Sequence, residues 1–426
     1  MREIQFPYGK TKLSCSFEED TLAGVLLSGI GEYEPELGPE ELVRNALQTP
    51  FGSPQLRELA RGKKNIVIIA SDHTRPVPSK VIMPAMLEQI RSASPDAHIT
   101  ILIATGCHRG TTKQELVDKF GADIVEHEHI YIHDCDEREK LVNIGTLPSG
   151  GACEINSIAM EADLLLAEGF IEPHFFAGYS GGRKSVLPGI AGRTTVLANH
   201  CSEFIADPKA RTGILENNPI HADMLWAAKQ AKLAFIVNVV LNEEKKVIYA
   251  VAGDPEKAHE AGVQFLSSLC GVDAVEADVA ITTNGGYPLD QNMYQAVKGM
   301  TAAETTVKKG GVIIMLAQSG DGIGGDHFYH QLADEPDIHK TMAVICSRSR
   351  QQTLPDQWQT QVLLRVLMHA SVIYVSDMDD STVEKMHMTP AHSIEEAMQI
   401  AAKLLGKKDM KVVAIPDGIS VIVKKQ

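Results

Sequence analysis

No C-x-x-C pair occurs in the sequence, and its seven cysteines, Cys15, Cys107, Cys135, Cys153, Cys201, Cys270 and Cys346, are odd in number and scattered. Such spacing argues against a disulfide framework and for free thiols in a reducing compartment. Also missing is any uninterrupted apolar run near the roughly 18 residues that a membrane helix needs. The first ten residues carry Arg2, Glu3 and Pro7 and no apolar stretch of the kind a signal peptide uses. A cytoplasmic protein without a membrane partner is therefore expected.

Positive charge is the scarcer sign, with 40 Lys and Arg against 55 Asp and Glu, a net charge of −15. That field repels nucleic-acid phosphates and anionic lipid heads, which argues against a nucleic-acid role. An anionic small molecule needs a local basic pocket working against the field, which draws attention to Lys and Arg in glycine-rich loops. Neither a low-complexity linker nor an internal repeat is visible.

What is present fits a soluble globular enzyme: 426 residues, 44% hydrophobic and 22% charged, with 34 Gly and 20 Pro. The length suggests two domains. From about Lys63, short β-branched runs alternate with amphipathic stretches, the pattern of βαβ units and a mainly parallel sheet. Strands are expected at 65–70, 98–104 and 163–168 and helices at 81–92, 113–120 and 222–230. A hairpin follows, over 234–241 and 246–251. After a helix near 255–269, a second series of strands is expected at 277–283, 311–317, 342–346 and 371–375. The expected fold is α/β in two domains, residues 1–270 and 271–426. Each is a mainly parallel sheet flanked by helices, with the active site in the cleft between them.

In open α/β sheets ligands bind beyond the carboxyl ends of strands. Four such segments are unusual: Ser71 to Pro76, Thr105 to Gly110, Gly169 to Gly192 and Asn284 to Lys298. Singly, Asp72 reads as a helix cap, His108 as a satisfied loop histidine and the third segment as a glycine-rich turn. Together they bring Asp, Arg, His and Lys to strand ends, which solvation alone explains poorly. In the fourth, Gln291, Tyr294, Gln295 and Lys298 fall at i, i+3, i+4 and i+7, one stripe of an expected helix that could grip a carboxylate.

Two near-motifs mislead. From Gly178 the third segment has the spacing of a phosphate-binding G-x-x-x-x-G-K-S loop, but Arg183 stands where the second glycine belongs, which excludes nucleotide hydrolysis. The amides of Gly181 and Gly182 remain candidates for one phosphate. Gly320 to Gly325 satisfies G-x-G-x-x-G, but Ile345-Cys346-Ser347-Arg348 offers no acidic residue at the expected distance, so an NAD-type dehydrogenase is rejected. His127, His129 and His133 alternate with hydrophobics in an expected edge strand and lack supporting metal ligands.

The residues resemble the lactate racemase family and its nickel-pincer relatives. The resemblance rests on Ser71-Asp72-His73-Thr74-Arg75-Pro76, Gly106-Cys107-His108-Arg109, the long run from Glu172 to Lys184, Asn199-His200 and Tyr294-Gln295-Ala296-Val297-Lys298, in the family's order. It implies a nickel-pincer nucleotide, pyridinium-3,5-bisthiocarboxylic acid mononucleotide, attached to Lys184 through a thioamide, with His200 as the protein ligand to nickel. It also implies His108 and His174 as acid/base residues and Arg75, Gln295 and Lys298 on substrate or cofactor anions. Asp72 supports the site, Tyr294 belongs to the cofactor-binding set, and Trp358 stands where the family has an aromatic near the cofactor.

The implied activity is racemisation of a small 2-hydroxy acid, D- and L-lactate, by hydride transfer through a 2-keto acid, with cofactor-maturation proteins as partners. The chemistry is coherent, because a carboxylate makes the α-hydrogen a very weak acid, whereas hydride removal with loss of the hydroxyl proton to an imidazole avoids a dianion. Two alternatives stay open: the same mechanism on another 2-hydroxy acid, and a pincer-nucleotide binding protein without turnover.

Overall fold

The structure, a computed structural model, describes residues 1–425. The chain forms two compact units. One comprises residues 30–200 and 207–269; the other comprises residues 1–29, 201–206 and 270–426.

The unit containing residues 30–200 is built on a six-stranded sheet. Its order is Val247–Gly253, Leu233–Leu241, Leu164–Phe170, Asn65–Ser71, His98–Ala104 and His129–Ile132. All neighbours are parallel except the hairpin of the first two. The central strand Asn65–Ser71, Asn-Ile-Val-Ile-Ile-Ala-Ser, is buried along Ile66 to Ala70, as a strand covered on both faces must be. Its neighbours extend the core through Ile99, Ile101, Ile103, Leu164 and Leu166. The chain moves outward from Asn65–Ser71 to His98–Ala104 and His129–Ile132, then returns to the other side at Leu164–Phe170. The strand order therefore reverses between Asn65–Ser71 and Leu164–Phe170, the place where this architecture opens a crevice.

The second unit carries a fully parallel sheet in the order Thr389–Ala391, Ser371–Val375, Val307–Leu316, Ala277–Thr283, Val412–Ile415 and Leu22–Val25. Its core includes Val279, Ile281, Ile314, Ile373, Val412 and Ala414. The first 29 residues, expected in the N-terminal domain, belong here because Leu22–Val25 pairs with Val412–Ile415. A four-residue edge strand carries too short a pattern to announce a partner almost 400 residues away.

One expected strand is wrong: residues 342–346 lie within the helix Ile338–Ser347. Met-Ala-Val-Ile-Cys is short and apolar enough to suit either state. The deciding signal is Asp337, whose carboxylate accepts the amides of His339 and Lys340 and starts a helix that buries Thr341 and Ile345 one turn apart. Of the three histidines expected along an edge strand, His129 lies in it, His127 ends the preceding helix and His133 is buried just beyond it.

Candidate active site

Three strand ends around the reversal of strand order hold the residues singled out from the sequence. After Asn65–Ser71, Asp72 is buried. Its Oδ1 accepts the Thr74 amide (3.1 Å) and hydroxyl (2.6 Å), and its Oδ2 lies 2.7 Å from His108 Nδ1. Burial pushes the Asp72 carboxyl up, but hydrogen bonds from His108 and Thr74 and the charge of Arg75 outweigh it and hold the group at about 2. An ionised Asp72 only accepts, so His108 Nδ1 carries the proton and Nε2 keeps the lone pair. Arg75 is half-buried beside it and donates to the Thr74 hydroxyl at 3.0 Å.

His108 sits in the loop between His98–Ala104 and the helix Lys113–Phe120. Gly106, at φ +56°, makes the turn and donates its amide to Gly189 O (2.9 Å). At the other end Thr112 and Glu115 form a capping box, and Glu115 also grips Arg109 at 2.6 and 2.9 Å. The loop is thus tied on both sides of His108, whose side chain is 45% exposed.

After Leu164–Phe170 the chain makes a small hairpin in which Pro173–His174 pairs with Gly178–Tyr179. Gly178 has φ +78°, and a Cβ there would lie 2.3 Å from Ile214 O, so only glycine turns this corner. The Ala177 amide donates to His174 Nδ1 (3.2 Å), and the imidazole packs on Phe175 and Phe176 with centroids 5.0 and 4.6 Å away.

The run continues into the turn Gly182–Ser185, which holds Lys184. Here the Gly182 amide donates to Asn238 Oδ1 (2.8 Å), so it is not offered to a phosphate as the sequence reading supposed. Arg183 explains the departure from a phosphate-binding loop. Its guanidinium is buried and turned inward, donating to Ala177 O (2.8 Å), Gly181 O (3.1 Å) and His221 Nδ1 (3.0 Å), with His259 Nε2 at 3.0 Å. Arg183, which in the sequence pattern only obstructs a phosphate loop, therefore braces the turn that holds Lys184.

Lys184 Nζ lies 5.9 Å from the centroid of Phe176, and the same ring meets His200 edge-on at 5.2 Å. His200 ends the helix Arg193–Asn199 and is buried. Burial, then the charge of Lys184, pushes its imidazole down to about 3, so it is neutral. Its Nδ1 lies 3.0 Å from Val196 O, an acceptor only, so Nδ1 carries the proton of the neutral ring. A neutral, oriented imidazole beside a lysine fits the single nitrogen ligand and the lysine attachment that the resemblance implies.

Glu168 escaped the sequence reading. It is buried in an otherwise apolar strand, burial raises its pKa, and Oε1 accepts the Ser79 hydroxyl at 2.5 Å. An acid inside such a strand was the available signal.

The remaining expected residues lie in the second unit. The helix Met293–Thr306 starts after Asn292, whose side chain accepts the Gln295 amide. Tyr294, Gln295 and Lys298 are half-buried on it, whereas Gln291 precedes the helix and leaves the expected stripe. Trp358 Nε1 donates to Tyr294 OH (3.1 Å), which in turn donates to Asp356 Oδ1 (3.3 Å). Gly320 to Gly325 is a plain loop: the carbonyls of Gly322 and Ile323 accept the amides of Met293 and Tyr294 and so cap that helix. Among the described residues no helix is long and apolar enough to cross a membrane.

Comparison with known proteins agrees with this fold. Residues 8–213 match the lactate racemase N-terminal domain and residues 272–423 the lactate racemase C-terminal domain. The chain is 54% identical, over the full length of both chains, to lactate racemases of Thermoanaerobacterium thermosaccharolyticum and Lactiplantibacillus plantarum. The structure of the lactate racemase apoprotein from the former superposes with TM-score 0.96 at 53% identity, over 99% of this chain and all of the other. A crystal structure of a Thermotoga maritima protein shares the fold alone, with TM-score 0.68 at 18% identity over 92% of this chain and all of the other. Matched in both domains and along its whole length, the chain belongs to the lactate racemase family of isomerases.

Proposed function

We propose that the chain interconverts D- and L-lactate in the cytoplasm, with a nickel-pincer nucleotide joined to Lys184 and ligated through nickel by His200. End-to-end identity of 54% to two curated lactate racemases carries the substrate assignment. The bound group supplies a reversible acceptor for the α-hydrogen as hydride. His108 Nε2 takes the hydroxyl proton of one enantiomer, and the Asp72 carboxylate stabilises the resulting imidazolium. His174 does the same work for the other enantiomer, whose hydroxyl approaches from a different direction. Arg75 holds an anionic group beside this pair, and Gln295 and Lys298 present an amide and an ammonium about one turn apart, which suits a carboxylate or a phosphate.

The test is to produce the chain together with cofactor-maturation proteins, record intact mass and nickel content, and follow lactate from each enantiomer. Loaded protein is expected to interconvert both enantiomers and apo protein neither. Turnover by metal-free, unmodified protein overturns the mechanism, and turnover of a different 2-hydroxy acid with none of lactate overturns the substrate assignment.

A further inference from the structure

Two neighbouring strands of the first unit, His98–Ala104 and His129–Ile132, run parallel with Ile103 opposite Ile132, so the loops leaving their carboxyl ends start side by side. Two more bonds hold these loops together: the His133 amide donates to Ile103 O (3.1 Å), and the Thr105 hydroxyl donates to His133 O (2.6 Å). Cys107 and Cys135 come next, one in each loop, with thiols close enough for each to shift the other's ionisation. Neither is in a disulfide; Cys107 is half-buried and Cys135 buried. The Cys135 side is pinned, because its carbonyl accepts the Arg193 amide (3.1 Å) and the Arg193 guanidinium grips Asp136 at 2.7 and 2.8 Å. The Cys107 side carries His108 as the next residue.

We propose that Cys107 and Cys135 are a peroxide-sensitive dithiol whose closure to a disulfide draws the His108 loop off Asp72 and reversibly stops turnover. The loss of turnover rests on the role given to His108 above; the cross-link does not. A disulfide needs its sulfurs about 2.05 Å apart, much closer than two unbonded thiols, so one loop must move. With Cys135 anchored through Arg193 and the other loop tied at Gly106 and Arg109, closure strains the two residues between those ties, Cys107 and His108. The His108 to Asp72 bond is 2.7 Å long and has little slack before its geometry is lost.

The chemistry needs only the two thiols and a hydroperoxide. The neighbouring Cys107 thiol lowers the Cys135 pKa against the opposing effect of burial, and the charge of Arg193 adds to the lowering. That thiolate attacks a peroxide oxygen, breaking the O–O bond and leaving a sulfenic acid and hydroxide. The hydroxide takes the Cys107 proton to give water. The Cys107 sulfur then attacks the sulfenic sulfur, forming the S–S bond and releasing hydroxide, which the medium neutralises to a second water. Two thiols and one hydrogen peroxide become one disulfide and two waters, with two electrons passing from sulfur to oxygen. A metal site is the weaker reading: Asp134, Cys135 and Asp136 bring donors within 4.8 Å of one another, but Arg193 already occupies the Asp136 carboxylate.

To test this, the cofactor-loaded full chain is treated with hydrogen peroxide, digested without reduction and mapped by mass spectrometry, while lactate interconversion is followed in parallel. The expected result is a Cys107 to Cys135 linked peptide pair lighter by two hydrogens and a fall in turnover of at least about tenfold, both reversed by dithiothreitol. Neither the link nor the fall should occur in C135S or C107S. Peptides that stay unlinked, or a link that forms while turnover is unchanged, overturn the proposal. Protein inactive on lactate before oxidation refutes the functional reading instead, and the linked peptide and its absence in C135S still decide the disulfide.

Discussion

His108 and His174 hold their rings in opposite ways. His108 Nδ1 donates to an ionised, buried carboxylate. His174 Nδ1 instead accepts the Ala177 amide, and the ring is wedged against Phe175 and Phe176. The two rings are therefore oriented by opposite bonds, one donated to a carboxylate and one accepted from a backbone amide. The two enantiomers of lactate nonetheless have equal free energy, so kcat/KM must be the same in both directions. Unequal bases can therefore show only in how each direction divides between kcat and KM.

The largest effect comes from removing what both histidines serve. Lys184→Ala should abolish the covalent adduct and all turnover, and intact mass checks this directly; an unchanged adduct moves the attachment elsewhere. Next, His108→Ala and His174→Ala should each lower kcat/KM by roughly 10²–10⁴-fold, by the same factor from either enantiomer. The double variant should be little worse, since the pair acts as a unit. Near-full racemisation in one single variant with loading intact reduces that histidine to a structural role.

Asp72→Asn separates the two rings more finely, because only His108 depends on it. A loss of about 10²-fold is expected, smaller than that of His108→Ala, with cofactor loading retained. The pair also has a pH signature. Because the folded-state pKa of Asp72 is lowered to about 2, its contribution to stability is present above about pH 4 and is lost as pH falls towards 2. Melting temperatures of wild type and Asp72→Asn should therefore differ at neutral pH and converge in acid; a constant gap removes the electrostatic account. The smallest effect is expected from Thr74→Val, which deletes one hydrogen bond to Asp72 worth about 1 kcal/mol, and therefore several-fold in rate.

The α/β fold was legible in the sequence because its central strands are plain apolar runs, as at Asn65–Ser71 and His98–Ala104. Asp72, His108 and His174 could be proposed because each follows such a strand, and strand ends are where this architecture places ligands. The role of Arg183 could not, since its partners His221 and His259 lie 38 and 76 residues away in the chain and no spacing rule connects them. Residues 342–346 failed for a different reason: five apolar residues fit either period, and only the cap at Asp337 separates them. Cys107 and Cys135 carry no local signature either, because adjacency in a parallel sheet pairs residues that are distant in the chain.

The strand Leu22–Val25 is made long before its partner Val412–Ile415. Order of translation thus runs against order of assembly: that edge of the sheet stays open while the residues between them emerge, including all of the other unit. A fragment beginning after residue 29 would leave the backbone of Val412–Ile415 as a bare edge, ready to pair with whatever strand it meets.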